Sequence, residues 1–180
     1  MMEAIRYGLS NLTNFSGRDA RPTFWYYVLF LILVNIAIGL VVGVVFAAGS
    51  VGGAIEAASS GATEAEVQAQ VLKGMSGSLT TQAWIGVIVS LVTLGLFVAS
   101  FVRRLRDAAL PAAIAAVPVA TSLFTAYQNI SASSSLQAVM ATGDAVAINE
   151  AAMASASWGM VGWVGYLVVI VCGAIPTRAA

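Results

Sequence analysis

The chain has no histidine, a single cysteine and little charge: 8 basic and 8 acidic residues in 180, or 9%. Each shortage excludes something. Without histidine there is no Ser-His-Asp or Cys-His arrangement, no histidine metal site and no ordinary haem ligand. Cys172 cannot form an internal disulfide, and it sits in an apolar run where it reads as a small packing residue. No phosphate loop, nucleophile elbow, dinucleotide fingerprint or zinc spacing occurs. No cofactor is therefore expected. A formal net charge of zero argues against a nucleic-acid partner, which would call for a basic surface. Soluble domains usually carry about 25% charged residues. So few charges cannot cover a water-facing surface, and a bilayer is the natural solvent.

What is present is apolar: 59% of the residues are hydrophobic. Four stretches are long enough to cross roughly 30 Å of hydrocarbon, at residues 23–48, 82–102, 110–129 and 157–175, and none contains a charge. Lipid offers no partner to exposed backbone groups, so each must be helical. The expected fold is an all-α integral membrane protein: one domain, a four-transmembrane-helix bundle with a short amphipathic N-terminal helix in the interface. Residues 1–21 form the N-terminal segment, 103–109 a short link, and 49–81 and 130–156 two longer loops. More than twenty mixed residues precede the first apolar run, so it reads as a retained span and not a cleaved signal.

Prolines and aromatics agree with these limits. Pro22 and Pro111 stand at helix starts, Pro176 follows the last helix, and Pro118 should kink the third span. Phe24, Trp25, Tyr26, Tyr27, Trp84, Tyr127, Trp158 and Trp163 lie near span ends, as an aromatic belt does. Arg6, Arg18, Arg21, Arg103, Arg104, Arg106 and Arg178 fall on one side of a four-span chain. Lys73 falls on the other with Glu56, Glu64, Glu66, Asp144 and Glu150. Basic residues favour the cytoplasmic side, so both termini are expected inside. Ile5, Leu9 and Leu12 give the N-terminal helix its apolar face. Thr63 and Glu66 form a capping box for a short surface helix over 64–73, and Leu136, Val139 and Met140 suggest another.

Two stretches stand out: Asn14-Phe15-Ser16-Gly17-Arg18-Asp19-Ala20-Arg21-Pro22-Thr23-Phe24-Trp25 and Val102-Arg103-Arg104-Leu105-Arg106-Asp107. Together they resemble the bacterial inner-membrane family known as domain of unknown function 805. That family carries Phe-Ser-Gly-Arg-x-Ser-Arg-x-Glu-Phe-Trp before its first helix and Arg-Arg-Leu-His-Asp after an internal one. The resemblance covers the whole chain in order, and it implies a multi-pass protein of the bacterial cytoplasmic membrane. This chain departs from the pattern. Ala20 and Thr23 replace a serine and a glutamate that would cap the first helix, leaving Asp19 as a substitute N-cap. Arg106 replaces the histidine, and Leu110-Pro111-Ala112-Ala113 stands where Gly-Trp-Trp often follows.

Two readings of the arginines stay open. One is topology and headgroup anchoring. The other is a polar network at the inner face, in which Gly17 allows a turn that brings Arg18 or Arg21 onto Asp107, with Arg103 and Arg104 beside it. Within the membrane, Asn35 is the best interhelical hydrogen-bond candidate. Gly39 and Gly43 head a set of small residues at four-residue spacing, with Gly86 and Ser90, Ala112, Ala116 and Ala120, and Ser155 and Gly159. Three function classes follow. The first is a non-enzymatic structural, accessory or regulatory subunit. The second is a small transporter or channel. The third is a phospholipid-headgroup-binding protein using the arginines. Membrane lipids, a homo-oligomer or a larger membrane complex are the expected partners.

Overall fold

The computed structural model describes residues 1–177, so Arg178 lies outside the described residues. All regular structure among them is helical: α1 (Met2–Ser10), α2 (Arg21–Ser59), α3 (Glu64–Asp107), a 3₁₀ turn (Ala112–Ala115), α4 (Ala116–Met140) and α5 (Ala145–Ala174). Three segments are long and apolar enough to cross a membrane: Arg21–Glu56, Glu64–Asp107 and Val146–Ala174. They mark a multi-pass membrane protein.

The third expected span does not appear as one apolar α-helix over 110–129. Its apolar run begins at Leu110, but α-helix begins only at Ala116 and continues through the serines to Met140. Apolar stretch and helix are therefore out of step. Ala109 and Pro111 cause the shift. Ala109 has φ 56°, and Leu110 N–H donates to Leu105 O (2.8 Å) while Ala109 N–H donates to Arg106 O (3.1 Å). This is the Schellman ending of α3, with alanine where glycine is usual. Pro111 is extended, with ψ 130°, ahead of the 3₁₀ turn. Pro118 consequently lies in the first turn of α4, where its missing N–H leaves no intrahelical bond unmade, and not in the middle of a span.

The expected loops are also largely helical. The surface helix expected over 64–73 is the beginning of α3, which continues past Lys73 through Gly74 and Gly77 without a break. Its capping box forms: Thr63 N–H donates to Glu66 Oε2 (2.7 Å), and Glu66 N–H to Thr63 Oγ1 (3.4 Å). Residues 60–63 and 141–144 make the turns, and the Asp144 carboxylate accepts from Val146 N–H (2.9 Å) to cap α5.

The chain divides into two compact units. Unit 2 comprises 36–87 and 127–157, and joins α3 to α4 through Thr80 and Gln137 (3.1 Å). Unit 1 comprises 1–35, 88–126 and the chain from 158 onward. Its core is Phe24, Val28, Phe101, Val102, Leu105, Ala115 and Cys172, with Trp25 and Phe97 packed against it. Phe97 and Phe101 stack at 5.3 Å, and Phe24 leans on both. Helix approach here depends on glycines outside the expected set. A Cβ on Gly8 would meet the Tyr27 ring at 2.5 Å, one on Gly173 would meet Phe24 at 2.8 Å, and one on Gly165 would run into Thr121. Gly39, Gly43 and Gly86 face open space.

The left-handed Ala109 generates a prediction. Glycine adopts that conformation freely, so Ala109→Gly should stabilise the protein by about 1 kcal/mol, read as a higher unfolding midpoint in mild detergent. A lower midpoint would contradict this account of how α3 ends.

Candidate functional site

The site grows from two adjacent arginines at the end of α3. Neighbours on a helix point about 100° apart, so Arg103 and Arg104 reach in different directions. Both are fully buried, at 0% exposure. A guanidinium withdrawn from water needs acceptors for its donors, because an unpaired buried charge costs several kcal/mol.

Arg103 turns to the N-terminal segment. Its Nε donates to Asp19 Oδ1 (2.8 Å), and its Nη1 donates to the carbonyls of Asn11 (2.5 Å) and Asn14 (2.7 Å). Asp19 is 2% exposed, and its other oxygen accepts from Ser100 Oγ at 2.6 Å. The Tyr7 ring covers the guanidinium, 5.5 Å from Cζ to centroid, as a cation–π contact. Gly17 leaves room for the arginine stem, since a Cβ there would stand 3.0 Å from Arg103 Cδ. Its role is thus close approach. Nη2 of Arg103 is buried without a hydrogen-bond partner.

Arg104 turns to the end of α5. Its Nε and Nη2 donate to Gly173 O at 3.3 and 3.2 Å, and Nη2 also donates to Ile175 O. Its Nη1 pairs with Asp107 Oδ2, which also accepts from Thr177 Oγ1 at 2.8 Å. Trp25 Nε1, at the start of α2, donates to the same Gly173 carbonyl at 3.1 Å. A helix's last carbonyls lack intrahelical partners. Here a guanidinium and an indole supply them.

Of the residues picked out from sequence, the structure brings Gly17, Arg103, Arg104 and Asp107 into one region. Arg18 and Arg21 are exposed, and the carboxylate of Asp107 goes to Arg104 and Thr177 instead. Asp19 does not cap α2, because both its oxygens are taken by Arg103 and Ser100. Asn35 bonds across to α3: its Nδ2 donates to Thr93 Oγ1 at 3.0 Å and to Leu31 O at 2.8 Å. Ser100, Tyr7 and Thr177 were missed. Ser100 alone carried a signal, as a small polar residue one turn before Arg103 on the same helix face.

The arrangement is a clamp. It ties the N-terminal segment, the end of α3 and the end of α5 through charge-assisted hydrogen bonds, and the start of α2 through the neutral bond from the Trp25 indole to Gly173 O. Among the described residues no group of three or more His, Cys, Asp or Glu side chains could hold a metal ion.

A family model described as "Protein of unknown function (DUF805)" matches residues 12–179, a stretch that includes both arginine motifs. No curated protein and no solved structure matches the chain.

Breaking a buried pair leaves the other charge unpaired, which costs about 3–5 kcal/mol. Asp19→Ala should therefore lower stability by about that much, whereas Arg18→Gln at the neighbouring exposed position should change it by less than about 0.5 kcal/mol. Unfolding in detergent measures both. Equal effects would mean that the Asp19–Arg103 pair does not hold the clamp.

Proposed function

The chain belongs to the DUF805 family, and we propose that it is a four-span, non-enzymatic protein of a bacterial cytoplasmic membrane, acting through helix packing as a structural, accessory or regulatory subunit. The observation that carries this reading is the commitment of the buried polar side chains of unit 1. Asp19, Ser100, Arg103, Arg104 and Asp107 spend their hydrogen bonds on one another, on Thr177 and on backbone carbonyls. Groups held this way position helices and are not free to transfer a proton or attack a substrate.

The path of the chain in unit 1 supports four crossings. The start of α2, the end of α3 and the end of α5 meet in the clamp. Only residues 108–115 separate the end of α3 from the start of α4. So α4 leaves the clamp end and α5 returns to it. Cβ positions on Gly165 and Gly162 would contact Thr121 and Thr125, which is the order of antiparallel neighbours. A helix paired along a returning span covers the same depth, even though its second half is polar.

Charge supports the orientation. Every arginine among the described residues lies in unit 1, whereas Glu56, Glu64, Glu66, Asp144 and Glu150 lie in unit 2 with Lys73. The clamp end then faces the cytoplasm, and with it both termini. α1 fits the inner interface: Ala4 and Gly8 are buried, while Met2 (76% exposed) and Leu9 (42%) stand outward near Arg6. Only 6% of the apolar window of α2 is buried within the chain, and Leu40, Val41, Val44 and Val45 all exceed 60% exposure. Lipid or a second helix must cover that face, as befits a subunit.

Two measurements test the reading. Single cysteines at Ser10, Ala65 and Ala141, in a Cys172→Ala background, should label with an impermeant reagent from outside at Ala65 and Ala141 only. Labelling of Ala65 and Ala141 from opposite sides would leave three spans. Native mass measurement from mild detergent should show an oligomer or a retained partner protein, and a bare monomer would sink the subunit role.

A further inference from the structure

Burial sorts the described arginines of unit 1 into two classes. Arg103 and Arg104 are fully enclosed and occupied by protein acceptors. Arg6, Arg18, Arg21 and Arg106 are exposed, and neither of the two ion pairs among the described residues involves them. Arg106 is the one exposed residue from Phe101 to Ala108, a stretch otherwise wholly buried. Arg18 immediately precedes the clamped Asp19, and Arg21 opens α2. These three cations are thus exposed and lie within two residues of clamped side chains or at the start of α2. Among the described residues of the unit the only exposed acidic side chain is Glu3, since Asp19 and Asp107 are buried.

We infer that Arg18, Arg21 and Arg106, with Arg6 on α1, form a docking surface for the headgroups of anionic phospholipids. The inference rests on the orientation proposed above and names the partner of that face. Two observations favour lipid. First, an excess of exposed positive charge complements anionic headgroups, each such residue near the surface contributing about 1 kcal/mol. Secondly, the cations are interleaved with exposed apolar side chains, Met2 and Leu9 beside Arg6 and Phe15 (42% exposed) before Arg18. Apolar groups gain from entering the boundary of headgroups and acyl chains. A soluble phosphate offers them nothing. The occupied guanidinium groups of Arg103 and Arg104 are not part of this surface.

The test uses the full chain in nanodiscs of equal phosphatidylglycerol and phosphatidylcholine, with retained lipid counted by mass after transfer to mild detergent. Wild-type protein should retain phosphatidylglycerol preferentially. Each arginine removed should lower the preference roughly fivefold, so that Arg18→Gln, Arg21→Gln and Arg106→Gln together lower it by roughly a hundredfold. Lys73→Gln, at an exposed position in unit 2, should leave it unchanged, and unchanged unfolding midpoints confirm that the variants are folded. An undiminished preference in the triple variant overturns the inference, as does an equal loss in Lys73→Gln. Displacement of the lipid by millimolar inorganic phosphate overturns it in favour of a soluble anion. Retained lipid is read without regard to sidedness, so it fails separately from the orientation, which cysteine labelling decides.

Discussion

Two guanidinium groups held out of water, side by side at the end of one helix, dictate most of what surrounds them. A charge of that kind is tolerated only when nearly all its donors meet acceptors. In this chain the acceptors come from far away in sequence: Asn11, Asn14 and Asp19 for Arg103, and Gly173 and Ile175 for Arg104. The angle between successive helical side chains separates the two sets. One arginine gathers the N-terminal segment and the other gathers the end of α5. The end of α3 is the hub between them because it carries both.

The packing around the hub follows from the same constraint. Asn11 and Asn14 can offer their carbonyls only if the segment after α1 lies against α3, and Gly17 makes that approach possible. Gly173 O can meet Arg104 and Trp25 together only if α5 ends close to α2, and the missing side chain at Gly173 permits it. The aromatic cluster of Phe24, Phe97 and Phe101 packs in the core of the same unit, and both guanidinium groups are fully buried. Exclusion of water strengthens each charge-assisted bond and raises the cost of losing one.

Much of this was legible in the sequence, for reasons that differ by feature. The helical class and membrane setting follow from hydrophobic runs without charge, whose backbone has one solution in lipid. The location of the clamp followed from two arginine motifs at the same end of the chain's path. Its pairings did not follow. Arg18, Arg21, Arg103 and Arg104 have the same chemistry, and only burial distinguishes those that need a carboxylate from those that do not. Asp19 looked like a helix cap because short acidic residues before a helix usually are, yet tertiary charge pairing took both its oxygens. Helix ends were the least legible feature. The apolar run from Leu110 predicts a helix there, but the left-handed Ala109 and the extended Pro111 delay it to Ala116. Glycine contacts within the chain were illegible for a related reason. Spacing marks Gly39 and Gly43, whereas the close approaches occur at Gly8, Gly165 and Gly173, and what lies opposite a glycine is a tertiary fact.

The clamp also bears on what kind of protein this is. Catalytic groups are commonly left poised, with a donor or acceptor available for the substrate. Here Arg104 uses all three nitrogens, Asp19 uses both oxygens, and Asp107 accepts twice at one oxygen. Nη2 of Arg103 is the exception, and it is buried in a residue already fixed by Asp19, two carbonyls and the Tyr7 ring. Such a network resists rearrangement, because moving the end of α3 breaks several charge-assisted bonds at once. Its effect is to hold helix ends in one arrangement. What unit 1 leaves exposed close to the clamp in sequence are Arg18, Arg21 and Arg106, which take no part in either ion pair among the described residues.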